Sequence, residues 1–164
     1  SLLKDVSAIT RMDEGRDVIE KCDINLSALI HDIVDEEKLK TDIDIVVDIP
    51  ELHIDGNRQL LESIFRNLIG NTIAYSGASQ MTIKADSKGN FMVSDNGCGI
   101  SSEHPPHIFE RFYRIDKGRS RAAGGTGLGL SIVKNAILLH GGEIKAASIN
   151  GLTFNFNLAV KNTI

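Results

Sequence analysis

A chain of 164 residues with 41% apolar side chains can bury one core without disulfide or metal staples. Its formal net charge of −4, with no basic cluster longer than Lys117 to Arg121, argues against a nucleic-acid groove, which needs concentrated Lys and Arg. Cys22 and Cys98 have no metal-like spacing, which makes a reducing compartment the default, and no run of about 18 apolar residues offers a membrane span.

At the N-terminus, Leu2, Leu3, Val6, Ile9 and Met12 recur at helical intervals before the charged stretch Asp13 to Lys21. The pattern predicts the end of a helix joined to a linker, its apolar stripe packed on a partner helix or on the domain body. These first residues lack the long apolar core of a secretory leader, so none is expected. Cys22 to Asn25 reads as a short strand. Asn25 is then a plausible N-cap for a helix whose apolar face is Leu26, Leu29, Ile30, Ile33 and Val34, ending near Leu39. Ile43, Ile45, Val47 and Ile49 alternate until Pro50 stops the run, predicting a strand with one buried face, and Leu52 to Ile54 adds a brief second strand.

From Asn57 the period changes. Leu60, Leu61, Ile64, Phe65, Leu68, Ile69 and Ile73 mark a long helix that stops near Ser76 and Gly77. Gln80 to Ala85 and Phe91 to Ser94 form a hairpin around the turn residues Asp86 to Asn90. Residues 97 to 125 are polar and rich in turn formers, a length of loop that inside a compact domain is functional or disordered. Leu128, Ile132, Val133, Ala136, Ile137 and Leu139 then define a helix terminated at His140-Gly141-Gly142, and Glu143 to Ala147 with Leu152 to Leu158 make a last hairpin around Asn150-Gly151. This order predicts an α/β two-layer sandwich, with a mixed, mainly antiparallel sheet of about five strands covered on one face by three helices.

Three patterns carry chemistry. Asn67, Asn71 and Tyr75 are four residues apart and line one helical stripe beside the apolar face. Asp95-Asn96-Gly97-Cys98-Gly99-Ile100 sets an acid at a strand end before a flexible turn. Gly124-Gly125-Thr126-Gly127-Leu128-Gly129-Leu130 opens a helix with bare backbone, presenting free N–H groups and the positive end of the helix dipole to an anion. It is neither a Walker A loop, since no Lys-Ser or Lys-Thr pair follows, nor GxGxxG, since Leu130 stands in the third glycine's place. Each pattern alone has an ordinary structural reading: a solvated or capping Asn, a turn, a hinge.

Together and in this order they resemble the N, G1 and G2 boxes of the GHKL nucleotide-binding family, and of the sensor histidine kinases within it, over roughly residues 22 to 160. The resemblance implies Mg-ATP as ligand. Asn71 matches the Mg²⁺ ligand, a neutral oxygen suited to a hard octahedral cation already held by triphosphate. Asp95, with Gly97, Gly99 and Ile100, matches the adenine pocket, where a carboxylate accepts from the exocyclic amine and so selects ATP over GTP. Gly125, Thr126, Gly127, Leu128, Gly129 and Leu130 match the phosphate loop, and Tyr75 matches a ring that flanks the nucleotide. Ile108-Phe109-Glu110-Arg111-Phe112-Tyr113-Arg114 resembles the kinase F box at the foot of a lid near residues 97 to 125. Arg114, Lys117, Arg119 and Arg121 are its candidate phosphate contacts. Ala74 departs from the pattern, because kinases frequently carry Lys or Arg there to touch phosphate; weaker ATP binding is expected.

At Asn67, ATP-hydrolysing relatives such as gyrase and the mismatch-repair ATPases carry a Glu that activates water, and an amide cannot take that proton. Asn67 therefore points to a protein that keeps ATP intact and delivers its γ-phosphoryl to another acceptor. Glu62 projects elsewhere on the helix and is no substitute. None of the five histidines lies in a phosphoacceptor context: His31-Asp32 lacks the rest of that box, and surface or satisfied core roles suit all five.

The resemblance thus implies residues 1–20 as the end of a dimerisation helix with its linker, and residues 21–164 as an ATP-binding catalytic domain. Its partners would be a His-bearing dimerisation domain of the same kinase, homodimeric in the full-length protein, and a response regulator. Its location would be cytoplasmic, as part of a membrane-bound sensor. Two alternatives share these boxes: a nucleotide-binding regulatory module that has lost transfer activity, and a GHKL serine kinase of the anti-sigma type.

Overall fold

The computed structural model describes residues 19–113 and 129–161. The stripe at Leu2 to Met12, the cations expected on a lid (Arg114, Lys117, Arg119 and Arg121) and the residues before Gly129 expected to form a phosphate loop lie outside the described residues.

Strand β1 (Cys22–Asn25) leads into helix α1 (Leu26–Lys38), whose first turn is capped by the Asn25 side-chain oxygen accepting from the Ala28 amide at 3.1 Å. The helix buries Leu26, Leu29, Ile30, Ile33 and Val34, the face that its spacing predicts. Strands β2 (Asp44–Asp48) and β3 (His53–Gly56) follow. The strand expected at Leu52 begins one residue later. The Leu52 amide donates to the Ser27 hydroxyl at 2.9 Å and the Leu52 carbonyl accepts from the Leu26 amide at 2.8 Å, so that residue closes the helix start.

Helix α2 (Arg58–Tyr75) starts at Asn57, whose side-chain oxygen accepts from the Leu60 amide at 3.0 Å, and stops at Ser76, whose hydroxyl donates back to the Thr72 carbonyl at 2.6 Å. Strands β4 (Gln80–Ala85) and β5 (Asn90–Asp95) form the first hairpin. Helix α3 (Gly129–Leu139) precedes the second, β6 (Ile144–Ser148) and β7 (Leu152–Asn157), whose turn carries Asn150 at φ 50° and Gly151 at φ 122°.

The main sheet has the order β2-β4-β5-β7-β6, parallel at β2-β4 and antiparallel elsewhere. Met81 and Ile83 on β4, Phe91 and Val93 on β5, and Phe154 and Phe156 on β7 all point to one face and join the buried faces of the three helices in a single core. Thr82, Ser94 and Thr153, at alternate positions, are only half-buried. Phe65 from α2 meets Phe91 and Phe156 at ring separations of 5.7 and 6.0 Å, and the latter two stack at 5.1 Å. This is the expected two-layer sandwich.

Beside it lies an antiparallel pair, β1-β3, that is no part of the main sheet. A bridge from Ile54 to Val160 and an ion pair between Asp23 and Lys161 at 3.0 Å tie this pair to the end of the described chain. Its strands are four residues each, too short for their alternation to announce a partner in the sequence.

Candidate functional site

Asp95 ends β5 and is buried, at 9% exposure. One carboxylate oxygen, Oδ1, accepts from the Gly97 amide at 2.8 Å and from the Leu152 amide at 3.3 Å. The other, Oδ2, accepts from none of the described residues, which leaves an oriented anionic acceptor at the sheet's edge.

Behind Asp95 the chain is pressed against helix α2. A Cβ on Gly97 would strike the Ser76 carbonyl, which accepts from the Cys98 amide at 2.9 Å. Only glycine permits this approach. Gly99 sits at φ +67°, and the Ile100 amide donates to the Ser148 hydroxyl at 2.9 Å.

The Asn stripe runs along α2 from this loop toward α3. Asn67 donates from Nδ2 to the Ser63 carbonyl at 2.7 Å, and its Oδ1 faces Gly129, where an added Cβ would approach to 2.9 Å. Asn71, one turn on, is half-buried, and its carboxamide has no hydrogen-bond partner among the described residues. Tyr75 is half-buried and Ala74 exposed, while the Cys98 thiol lies 4.0 Å from the Tyr75 carbonyl. Glu62 pairs with Arg58 at 3.7 Å and takes no part in the stripe.

Helix α2 therefore touches the DxGxGI loop at Ser76 and the first residue of the GxGLGL helix at Asn67, nine residues apart, or about 14 Å at 1.5 Å per residue. Gly129 and Leu130, the described part of the GxGLGL stretch expected to meet phosphate, begin α3, with Leu130 packed against the core. Arg114, Gly125, Thr126, Gly127 and Leu128 lie outside the described residues.

The F-box stretch divides. Ile108 and Phe109 belong to the main core, Phe109 meeting Phe154 edge-on at 6.0 Å. Tyr113 instead binds His104, its hydroxyl 2.6 Å from Nδ1, and stacks on His107, which pairs with Glu110 at 2.6 Å. Phe112, at φ 62°, is 62% exposed.

Three residues to which the sequence reading gives no role at the site brace the structure around it: two at the loop and one at the far end of α3. Ser76 and Ser148 hold the two flanks of the Gly97–Gly99 loop. His140 is buried just past α3: its Nδ1–H donates to the Ala136 carbonyl at 2.7 Å, and its Nε2 accepts from the Asn57 amide at 3.0 Å. Burial pushes its pKa down, so the neutral tautomer with the proton on Nδ1 is the one these two bonds require. None of the three has a local signature, because each bonds backbone brought near by the fold. Among the described residues no His, Cys, Asp and Glu cluster could hold a metal ion, and no helix is long and apolar enough to cross a membrane.

Comparison with known proteins identifies the family. The profile of the histidine kinase-, DNA gyrase B- and HSP90-like ATPases matches residues 56–162. The chain is 33% identical over 167 residues to the sensor-like histidine kinase SenX3 of Mycobacterium tuberculosis, covering 97% of this chain and 41% of that protein. It is 35% identical over 159 residues to the sensor protein kinase WalK of Staphylococcus aureus, covering 92% and 26%. The chain thus spans less than half the length of these curated relatives. Among solved structures, the mycobacterial sensor histidine kinase MprB superposes with a TM-score of 0.74 at 22% identity, covering 87% of this chain and 99% of that one, a likeness of fold. The chain belongs to the family of histidine kinase-, DNA gyrase B- and HSP90-like ATPases, as an ATP-binding catalytic domain of the histidine kinase type.

Proposed function

We propose that this domain binds Mg-ATP in the cleft between α2, the Asp95 loop and the start of α3, and delivers the γ-phosphoryl to a histidine on a separate dimerisation domain, for onward transfer to a response-regulator aspartate. The observation that carries the reading is Asp95, whose Oδ2 accepts from none of the described residues, with the Asn71 carboxamide, which has no partner among the described residues, between it and the Asn67–Gly129 contact.

In this reading Asp95 accepts from the adenine amine, and Gly97, Gly99 and Ile100 shape the wall around the base. Tyr75 flanks the nucleotide. Asn71 offers its side-chain oxygen to Mg²⁺, a donor that fits a hard cation preferring oxygen and few protein ligands. When bound, the metal neutralises charge on the triphosphate. Gly125, Thr126, Gly127, Leu128, Gly129 and Leu130 present backbone N–H groups to the phosphates, and Arg114 adds a cation from the lid. Asn67, held by Ser63 against Gly129, cannot act as a base, so no group at that position activates water against the γ-phosphorus.

The wider assignment rests on the same reading: residues 1–20 as the end of a dimerisation helix and its linker, residues 21–164 as the catalytic domain, a homodimeric full-length kinase, and a cytoplasmic location where ATP is available. Exposed Ala74, in place of a phosphate-touching cation, favours one second reading, a regulatory nucleotide-binding module without transfer. Mixing the chain with a His-bearing dimerisation domain and labelled ATP separates the two: acid-labile phosphohistidine supports transfer, and its absence supports the module.

Titration calorimetry with ATP, ADP and GTP, with and without Mg²⁺, tests the site directly. ATP is expected to bind in the micromolar range and GTP far more weakly. Asp95→Asn turns part of the acceptor into a donor and is expected to cost about 1.5–3 kcal/mol of ATP affinity, the range for a charged hydrogen bond. Unchanged binding would remove Asp95 from the adenine pocket.

A further inference from the structure

The Gly97–Gly99 loop is made of residues with wide conformational freedom, yet the adenine contact proposed above needs it held. Restraint comes from the β6–β7 hairpin, about 50 residues downstream. Ser148, the last residue of β6, is the side chain in that hairpin that bonds the loop. Its hydroxyl accepts from the Ile100 amide at 2.9 Å and donates to the Gly151 carbonyl at 3.3 Å. It also fills the space over Gly99, where any Cβ would strike it. The other strand of the hairpin reaches Asp95 itself, through the Leu152 amide on Oδ1, and Gly151 is so close that a Cβ there would meet the Asp95 carbonyl. The turn therefore grips both ends of the DxGxGI motif, with Leu152 on the acid and Ser148 on Ile100.

We infer that Ser148 is a positioning residue for purine specificity: it fixes the far flank of the loop so that Asp95 Oδ2 keeps the direction in which it meets an exocyclic amine. Ser148 does not touch the base; it acts through Gly99 and Ile100. Without its hydroxyl the Ile100 amide loses its acceptor, and the left-handed conformation of Gly99 loses its lateral support. The inference rests on the adenine role of Asp95.

The experiment uses the 164-residue chain and two ligands, ATP and purine riboside triphosphate, which lacks the 6-amino group. The ratio of their dissociation constants reads the amine contact alone, since phosphate and ribose are common to both. The wild-type chain is expected to prefer ATP at least tenfold. Ser148→Ala is expected to reduce that preference at least threefold, while leaving the dissociation constant of purine riboside triphosphate within about twofold. Ser148→Thr keeps the hydroxyl and is expected to keep the wild-type ratio.

A purely structural role would weaken both ligands together and leave the ratio unmoved; that result overturns the inference while the adenine assignment stands. A Thr variant as indiscriminate as the Ala variant overturns it too, because the hydroxyl is then not the cause. Binding of neither ligand, or no preference in the wild-type chain, overturns the Asp95 assignment and the inference with it.

Discussion

Helices α2 and α3 meet at two places of opposite character. Where α2 begins and α3 ends, His140 joins them: its ring bonds Ala136 on one side and Asn57 on the other, and Gly56 lies so close that an added Cβ would come within 3.0 Å of the imidazole. Every polar atom of the His140 ring is satisfied. Where α3 begins, Asn67 and Gly129 touch through the space left by a missing side chain, and Asn71 nearby has no described partner. One junction uses its polar groups to hold the fold. The other leaves the half-buried Asn71 carboxamide without a described partner, as the proposed ligand role requires, and the division follows from burial: an unpaired polar group is tolerable where solvent reaches it and costly in a core.

The largest effect is expected at the closed junction. His140→Ala removes a buried ring and strands the backbone amide of Asn57, the residue whose side chain caps the start of α2, so unfolding stability should fall by about 3 kcal/mol. Urea denaturation followed by circular dichroism measures this. ATP affinity at temperatures where the variant is folded should change less than threefold. A variant that loses nucleotide binding while keeping its urea midpoint would reverse the division drawn here.

At the open junction the balance inverts. Asn71→Ala should leave the unfolding stability within about 0.5 kcal/mol of wild type, because no described bond is lost. The magnesium-dependent part of ATP binding should weaken about tenfold, or about 1.4 kcal/mol. Calorimetry with and without Mg²⁺ separates the two parts, and equal loss in both would count against a metal-ligand role.

Acidity sharpens the comparison without any substitution. The folded-state pKa of His140 lies below its unfolded value near 6.5, first because burial disfavours the charged ring, with Lys21 adding to the effect and the Ala136 bond opposing it. Between the two values the unfolded chain holds the extra proton, so stability rises with pH. The contribution of His140 is complete above about pH 6.5 and is lost as pH falls from there toward the folded-state value. Urea midpoints from pH 7.5 to 5.5 should decline in the wild-type chain and decline less in His140→Ala. Parallel profiles would show that other groups carry the dependence.

How far the sequence announces these features depends on the range of the contacts. The Asn25 cap, the helical faces, the Asn150-Gly151 turn and the three family motifs are written in spacings of two to four residues and can be read directly, whereas the Asn57 cap is not named from the sequence. The juxtaposition of Asn67 with Gly129 follows from the same pattern once the family is recognised, although periodicity alone says nothing of it. The β1-β3 pair, the Ser148 grip on Ile100 and the tie between His140 and Asn57 were not legible. Each joins backbone groups to partners separated by 28 to 83 residues, and a serine or histidine that bonds distant backbone looks in sequence like any other. The reading that all five histidines have ordinary roles includes His140 but could not distinguish it from exposed His31.

The smallest expected effect probes the contact where the two helices open. A glycine beginning a helix is ordinarily improved by alanine, which restricts the unfolded chain. At Gly129 the new methyl would lie 2.9 Å from Asn67 Oδ1, closer than a carbon and an oxygen can rest, so the carboxamide must turn aside and weaken its bond to the Ser63 carbonyl. The obstacle is the tip of a flexible side chain, so the helix itself can stay in register. Gain and loss should nearly cancel, leaving Gly129→Ala within about 1 kcal/mol of wild-type stability. Its ATP affinity should fall about threefold if, as proposed, the phosphates meet the backbone at the start of α3, because the displaced carboxamide would intrude there. Gly129→Ala combined with Asn67→Ala removes the obstructing tip and should recover that loss relative to Asn67→Ala alone. Failure to recover would mean that the methyl meets the nucleotide directly, making the first residue of α3 a wall of the phosphate site rather than a neighbour of Asn67.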